Sequence, residues 1–249
     1  MWPYPNHSHL IAHRGGGILA PENTLAALRA GRLAGYRAVE FDVMLAADRV
    51  PILMHDEKFG RTIAGTGSVA TTPSAQLLAM DAGSWFGPQF AGEPVALYRD
   101  AVRYCMQHAI WMNVEIKPAR GFEAATGQIV AALTREWLGD DGQRAVLFSS
   151  FSAAALLAAR DAAPGIARGL LVKKFPADWR DKLQDVLATS LHIDHTALKP
   201  DVARVVSEAG YGLLCYTVNS PARARQLMDW GVDAICTDRI DLIRAPLDA

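Results

Sequence analysis

Short apolar, β-branched runs recur along the chain, and most are followed by a stretch with helical spacing. Runs near residues 10–14, 39–45, 50–56, 111–118, 145–149, 167–172, 190–194, 212–218 and 234–238 read as strands. Helical spacing covers about 21–34, 97–108, 122–138, 153–163, 200–209 and 221–230, with a weaker segment around 178–187. Pro21 and Glu22 suit the first turn of the first helix, and Gly35 suits its end. Sustained β–α alternation implies a parallel sheet. About nine strand-like runs stand against the eight of a (β/α)8 TIM barrel. A parallel crossover needs a dozen or more residues, and only a few separate Leu45 from Val50. The 39–45 and 50–55 runs therefore form an antiparallel hairpin, with a turn expected near Ala47-Asp48 that sets His55 roughly opposite Glu40. With the second arm outside the barrel, eight strands remain. An open doubly wound sheet is the alternative fold, but no strand–Gly-x-Gly-x-x-Gly–helix fingerprint is present.

Successive side chains on a strand point to opposite faces. Val39, Phe41 and Val43 share one face, and Glu40 and Asp42 the other. The same design recurs in the 111–118 run, where Val114 and Ile116 lie opposite Asn113, Glu115 and Lys117. Two adjacent carboxylates on a buried face need a cation or a proton; an isolated Glu-x-Asp is more often a solvated edge. The barrel gives the alternation a cause. Apolar residues lie under helices, while His13, Arg14, Glu40, Asp42, Glu115 and Lys117 all fall near the C-terminal ends of strands, where such barrels place their chemistry.

Between residues 57 and 94 the pattern breaks. Gly60, Gly65, Gly67, Gly83, Gly87 and Gly92 punctuate it, with Trp85, Phe86 and Phe90 between. The segment is too long for an ordinary loop and reads as a compact insertion within one domain spanning 1–249. The 249 residues are 51% hydrophobic and 20% charged, enough for a large core. A net charge of −1 without a basic run argues against nucleic acid as a partner. No apolar run reaches the length of a membrane span. The N-terminus lacks a secretory pattern, and Cys105, Cys215 and Cys236 lack metal-type spacing. A reduced, cytoplasmic compartment is expected.

His13-Arg14-Gly15, Pro21-Glu22-Asn23-Thr24, Glu40-Phe41-Asp42, His55-Asp56 and Glu115-Ile116-Lys117 occur in an order and spacing that resembles the glycerophosphodiester phosphodiesterases. Gly83-Ser84-Trp85-Phe86, Ser149-Ser150-Phe151, Thr217-Val218-Asn219 and Thr237-Asp238 extend the likeness over nearly the whole chain. Each motif is weak alone; the ordered set is specific, and is most similar to the short cytoplasmic bacterial members. Two departures are visible: Tyr216 where the family usually has Trp, and Val95-Ala96-Leu97 where Ile-Pro-Thr is common. The first bears on alcohol-group preference.

The resemblance implies a TIM barrel of the phospholipase C-like phosphodiesterase type. It implies hydrolysis of glycerophosphodiesters to sn-glycerol 3-phosphate and an alcohol with a divalent cation. Glu40, Asp42 and Glu115 offer only oxygen ligands, which suits Mg²⁺ or Ca²⁺ better than Zn²⁺; a salt-bridge cluster with Arg14 and Lys117 is the competing reading. His13 and His55 would divide acid and base work, by way of a cyclic phosphate or by direct attack of water. Arg14 and Lys117 are candidates for phosphate binding, or else balance the carboxylates. Gly15-Gly16-Gly17 offers an anion cradle or a plain tight turn. Glu22 and Asn23 shape the site floor or merely start the helix. Trp85 and Phe86, with Phe90, form a lid or a small core for the insertion. Tyr216 and Asn219 are further candidate substrate contacts, Asn219 alternatively a helix cap. His192 could face the mouth, whereas His7, His9, His108 and His195 are expected to be structural. The protein is expected to be a monomer or homodimer. A related phosphodiesterase acting on lysophospholipid or polymer-linked glycerol phosphate, and a non-catalytic ligand-binding barrel, are the competing functions.

Overall fold

The computed structural model describes Tyr4 and residues 9–244. His7 and most of the N-terminal stretch read above lie outside the described residues. Eight parallel strands form the barrel: β1 (Leu10–Ala12), β2 (Ala38–Leu45), β4 (Trp111–Ile116), β5 (Val146–Ser150), β6 (Ala167–Val172), β7 (Ser190–Asp194), β8 (Gly212–Tyr216) and β9 (Ala234–Thr237). Their order is β1-β9-β8-β7-β6-β5-β4-β2, and a β1–β2 pairing closes the ring. The remaining strand, β3 (Pro51–Leu53), pairs antiparallel with the end of β2 and stays outside the ring.

Helices α1 (Leu25–Leu33), α3 (Tyr98–Gln107), α4 (Glu123–Gly142, interrupted at Gly139), α5 (Ala153–Ala162), α6 (Trp179–Asp185), α7 (Pro200–Glu208) and α8 (Pro221–Asp229) link the strands; α2 (Ser74–Leu77) is a single turn. Among the described residues no helix is long and apolar enough to cross a membrane. Val39, Phe41, Val43, Val114 and Ile116 pack into one large core with the helices, each fully buried. Burial of side chains of this size contributes roughly 1.5–3 kcal/mol apiece. The lower interior of the barrel is filled by Ile11, Ala38, Trp111, Leu147, Leu214 and Ala234.

The hairpin turn falls where expected, and two local expectations are corrected. The hairpin pairs Leu45 with Pro51 and Val43 with Leu53, so its turn centres on Asp48. The pairing stops before His55, which leaves the ladder just above Asp42, whose carbonyl accepts from the Met54 N–H at 3.1 Å. His55 is therefore not held opposite Glu40. The first helix begins at Leu25, because Thr24 is its cap: the hydroxyl accepts from the Ala27 N–H. Pro21, Glu22 and Asn23 precede it as a turn, with Asn23 at φ 58°.

Residues 57–94 have their own apolar floor. Ile63, Val69, Leu77 and Ala82, with Val95 just beyond the segment, pack on Met44, Ala46, Ile52 and Met54 from the hairpin. Trp85 is not part of that floor. It meets Phe86 edge-to-face at 5.5 Å, as Phe86 meets Phe90, and its indole N–H donates to the Ala82 carbonyl at 2.8 Å.

Candidate active site

Sheet register sets the carboxylates. Asp42 lies level with Glu115 on the neighbouring strand, and Glu40 one interior layer deeper, level with Asn113. Glu40, Asp42 and Glu115 each offer an oxygen within 4.8 Å of the other two. Glu40 and Asp42 are 4% and 1% exposed, far below what solvated carboxylates show. Burial, reinforced by the Asp42 charge, pushes the Glu40 and Glu115 carboxyls well above the ordinary carboxylate range. Burial also disfavours the charge on Asp42, but Lys117, His55 and Arg14 outweigh it and hold that carboxyl low. Glu40 Oε1 is buried without a hydrogen-bond partner. Three converging carboxylates, two of them strained toward neutrality, and an orphaned carboxylate oxygen fit a hard divalent cation.

The two predicted cations are engaged with these acids. Lys117 Nζ lies 3.2 Å from Asp42 and 3.3 Å from Glu115. Arg14 donates through Nη1 to Glu22 at 2.7 Å, through its backbone N–H to Glu40 at 2.9 Å, and its Nε stands 3.8 Å from Asp42. Both thus balance carboxylates in this structure. Asn23 shapes the floor: its amide donates to Asp42 Oδ2 at 2.8 Å, and its carbonyl accepts from the Asp42 N–H at 3.0 Å.

Each imidazole is held by its own carboxylate. Because Ala12 is level with Thr237, the first residue past β1 meets the first residue past β9. His13 Nδ1 is 2.6 Å from Asp238 Oδ1, and its Nε2 faces Glu40 at 3.9 Å. Burial works against a proton on His13, but the Asp238 hydrogen bond and the Glu40 and Asp238 charges outweigh it and raise its pKa. His55 Nδ1 is 2.6 Å from Asp56 Oδ1. There burial wins over the attraction of Asp42, and the His55 pKa falls. A carboxylate on one ring nitrogen fixes the tautomer and aims the other.

Asn219 is not the cap of α8; Ser220 is, its hydroxyl accepting from the Arg223 N–H. Asn219 instead clasps Asp238, donating to Oδ2 and accepting from its backbone N–H, both at 2.9 Å. The glycine triplet is a tight turn. Gly15 and Gly17 donate to the Ala12 and His13 carbonyls. A Cβ on Gly17, at φ 51°, would stand 2.1 Å from the Asp238 carbonyl oxygen, so no side chain fits there.

Two cavities open beside His13. The wider, about 390 Å³, is lined by His13, Arg14, Gly17, Ile18, Glu22, Arg61, Trp85, Phe86 and Asp238. The narrower, about 40 Å³, passes Phe151, Leu171 and Tyr216 and descends between Glu40 and Glu115 to Asn113 and His192. Tyr216 turns its hydroxyl away to the Val172 carbonyl at 2.8 Å, leaving its ring against Phe151. His192 lies inside the barrel below the mouth. It is fully buried, with Nε2 at 3.0 Å from the Tyr4 hydroxyl and 3.1 Å from Ser190. The partners Asp56, Arg61 and Asp238 were not singled out by function in the sequence. The only signal was adjacency: Asp56 follows His55, and Asp238 ends the strand that barrel closure sets beside the first.

A closed (β/α)8 barrel thus carries at its mouth three acids that could hold a metal ion, with two histidines beside them. The glycerophosphoryl diester phosphodiesterase family model matches residues 13–242, and the chain belongs to this family. A glycerophosphodiester phosphodiesterase of Bacillus subtilis is 29% identical over 96% of this chain and 86% of its own length. One from Caldanaerobacter subterraneus is 29% identical over 92% and 93%. Among solved structures, a phosphodiesterase of Oleispira antarctica, in complex with its product sn-glycerol 3-phosphate, superimposes over 100% of both chains with a TM-score of 0.93 and 34% identity. A glycerophosphodiester phosphodiesterase of Agrobacterium tumefaciens gives 0.79 at 27% identity, over 94% of this chain and 98% of that one.

Proposed function

We propose that the chain hydrolyses glycerophosphodiesters to sn-glycerol 3-phosphate and an alcohol, with Glu40, Asp42 and Glu115 holding a divalent cation, Mg²⁺ or Ca²⁺. The observation that carries this reading is the convergence of these acids within 4.8 Å of one another beside two imidazoles. Family membership supports the substrate class. A bound ion would supply electrostatic stabilisation of charge on the phosphoryl oxygens.

The chain's own residues do the rest. Arg14 and Lys117 bring positive charge to the phosphate. One of His13 and His55 removes the proton from the attacking hydroxyl, and the other protonates the leaving alkoxide. Water is consumed and one P–O bond breaks. Asp238 and Asp56 keep the two rings in a single tautomer, each with one nitrogen free to face substrate. Trp85 and Phe86 on one side, and Tyr216 with Phe151 on the other, wall the organic groups of the diester. Three free, buried cysteines suit a reducing, cytoplasmic setting.

The test is release of glycerol 3-phosphate from glycerophosphocholine, coupled to glycerol-3-phosphate dehydrogenase. Release should require Mg²⁺ or Ca²⁺, stop with chelator, and fall on the order of a hundredfold or more in His13→Ala. No release with either ion, or undiminished release from His13→Ala, would overturn the reading.

A further inference from the structure

Arg61 lies in the segment between β3 and α3, away from the carboxylate cradle, and the catalytic scheme above does not use it. Its guanidinium is nevertheless tied at both ends to carboxylates that hold groups the scheme does use. Nε donates to Asp56 Oδ2 at 2.6 Å. Nη1 and Nη2 donate to the two oxygens of Glu22, at 2.6 and 2.7 Å. Asp56 carries His55 on its other oxygen, and Glu22 Oε1 also accepts from Arg14. One planar group thus closes a chain from His55 through Asp56, Arg61 and Glu22 to Arg14. The same guanidinium stands 6.0 Å from the Trp85 ring and lines the wider cavity.

We propose that Arg61 is a positioning residue: its fork holds Asp56 and Glu22 in register, and so aims the His55 imidazole and the Arg14 guanidinium at the same phosphate. The inference rests on the phosphodiesterase reading above. Arg61 itself is 44% exposed, and an ordinary surface ion pair at that exposure contributes little. Its partners are different. The Glu22 and Asp56 side chains are 12% and 29% exposed, and every donor used is part of a rigid fork that fits a carboxylate edge-on. Lysine supplies the charge but cannot present three fixed N–H groups to two carboxylates. Without Arg61, Asp56 keeps only His55 and is free to rotate with it, and Glu22 keeps only Arg14. A ring misplaced by about 1 Å is expected to cost on the order of a hundredfold in rate. The residue comes from the same segment as Trp85 and Phe86, so docking of that segment and alignment of the proton-transfer group are one event.

The experiment measures kcat and KM for glycerophosphocholine in wild type, Arg61→Ala, Arg61→Lys, Asp56→Asn and the Arg61→Ala/Asp56→Asn double variant, with thermal unfolding of each. The expected result is a fall in kcat of roughly ten- to a hundredfold for Arg61→Ala, partly restored by millimolar guanidinium ion, and less than full activity in Arg61→Lys. The double variant should be no slower than the slower single within about twofold, because the two residues act as a unit. A kcat within twofold of wild type in Arg61→Ala, a rise in KM alone, full activity in Arg61→Lys, or additive losses in the double variant would each overturn the proposal. If Arg61→Ala does not fold, Arg61→Lys and its response to guanidinium ion decide it by the same criteria. A wild-type protein that releases no glycerol 3-phosphate would instead defeat the underlying functional reading.

Discussion

The carboxylate cradle and the histidine supports sit within a few ångströms of each other but are built in different ways. Glu40, Asp42 and Glu115 stand on β2 and β4, and their spacing follows from sheet register. Their geometry is set by backbone ladders and is paid for by burying charge, which leaves Glu40 and Glu115 with raised pKa values. His13 and His55 lie just beyond strand ends, and their aim depends on side-chain partners contributed by loops: Asp238 with Asn219 for one, Asp56 with Arg61 and Glu22 for the other. The cradle is a rigid, electrostatically unfavourable cluster whose repulsion a cation would offset, whereas the supports are a relaxed hydrogen-bond network whose cost of failure is misorientation rather than lost charge.

Substitutions separate the two. The largest expected effect is in the cradle: Glu115→Gln should lower turnover by about a thousandfold or more, because it removes a ligand from the group that offsets phosphoryl charge. The melting temperature without divalent ion should not fall, since a repelling carboxylate is removed along with its partial balance by Lys117. A large loss of ion-free stability would mean that Glu115 serves the fold through Lys117 instead. On the supports, Asp238→Asn should cost roughly ten- to a hundredfold in kcat while divalent-ion affinity stays within about threefold. Equal loss of ion affinity would show that the two regions are not separable.

The smallest effect concerns His192, below both regions. Burial lowers its pKa from 6.5 to about 3. Below pH 6.5 the unfolded chain takes up this proton and the folded chain does not, so stability is lost as pH falls through that window. At pH 5 the loss amounts to about 2 kcal/mol relative to pH 7. His192→Asn should flatten the fall by that amount in urea midpoints; an unchanged slope would show that His192 protonates without penalty.

The same distinction explains what could be read from the chain before its structure. Alternation on two strands located the cradle, because period-two patterning survives in one dimension. It also separated Val39, Phe41 and Val43, which pack under helices, from the acids between them. Asp238 lies 225 positions from His13 and becomes its partner only when β1 and β9 meet. Arg61 stands in a glycine-punctuated segment with no local pattern around it, and its two carboxylates are 5 and 39 positions away. The cap alternative for Asn219 fails because the Ser-Pro that follows offers the same local signal one residue later. The hairpin turn was legible, at Asp48, but His55 leaves the ladder because pairing ends at Leu53, which composition does not mark.

The account depends most on one event, capture of a single divalent ion by three acids drawn from two strands. Calorimetric titration of chelator-stripped protein with Mg²⁺ and with Ca²⁺ at neutral pH tests it directly. One equivalent should bind to the wild type with release of protons from the raised Glu40 and Glu115 carboxyls, and binding should be lost in Glu115→Gln. No binding of either ion, or unchanged binding in that variant, would contradict it.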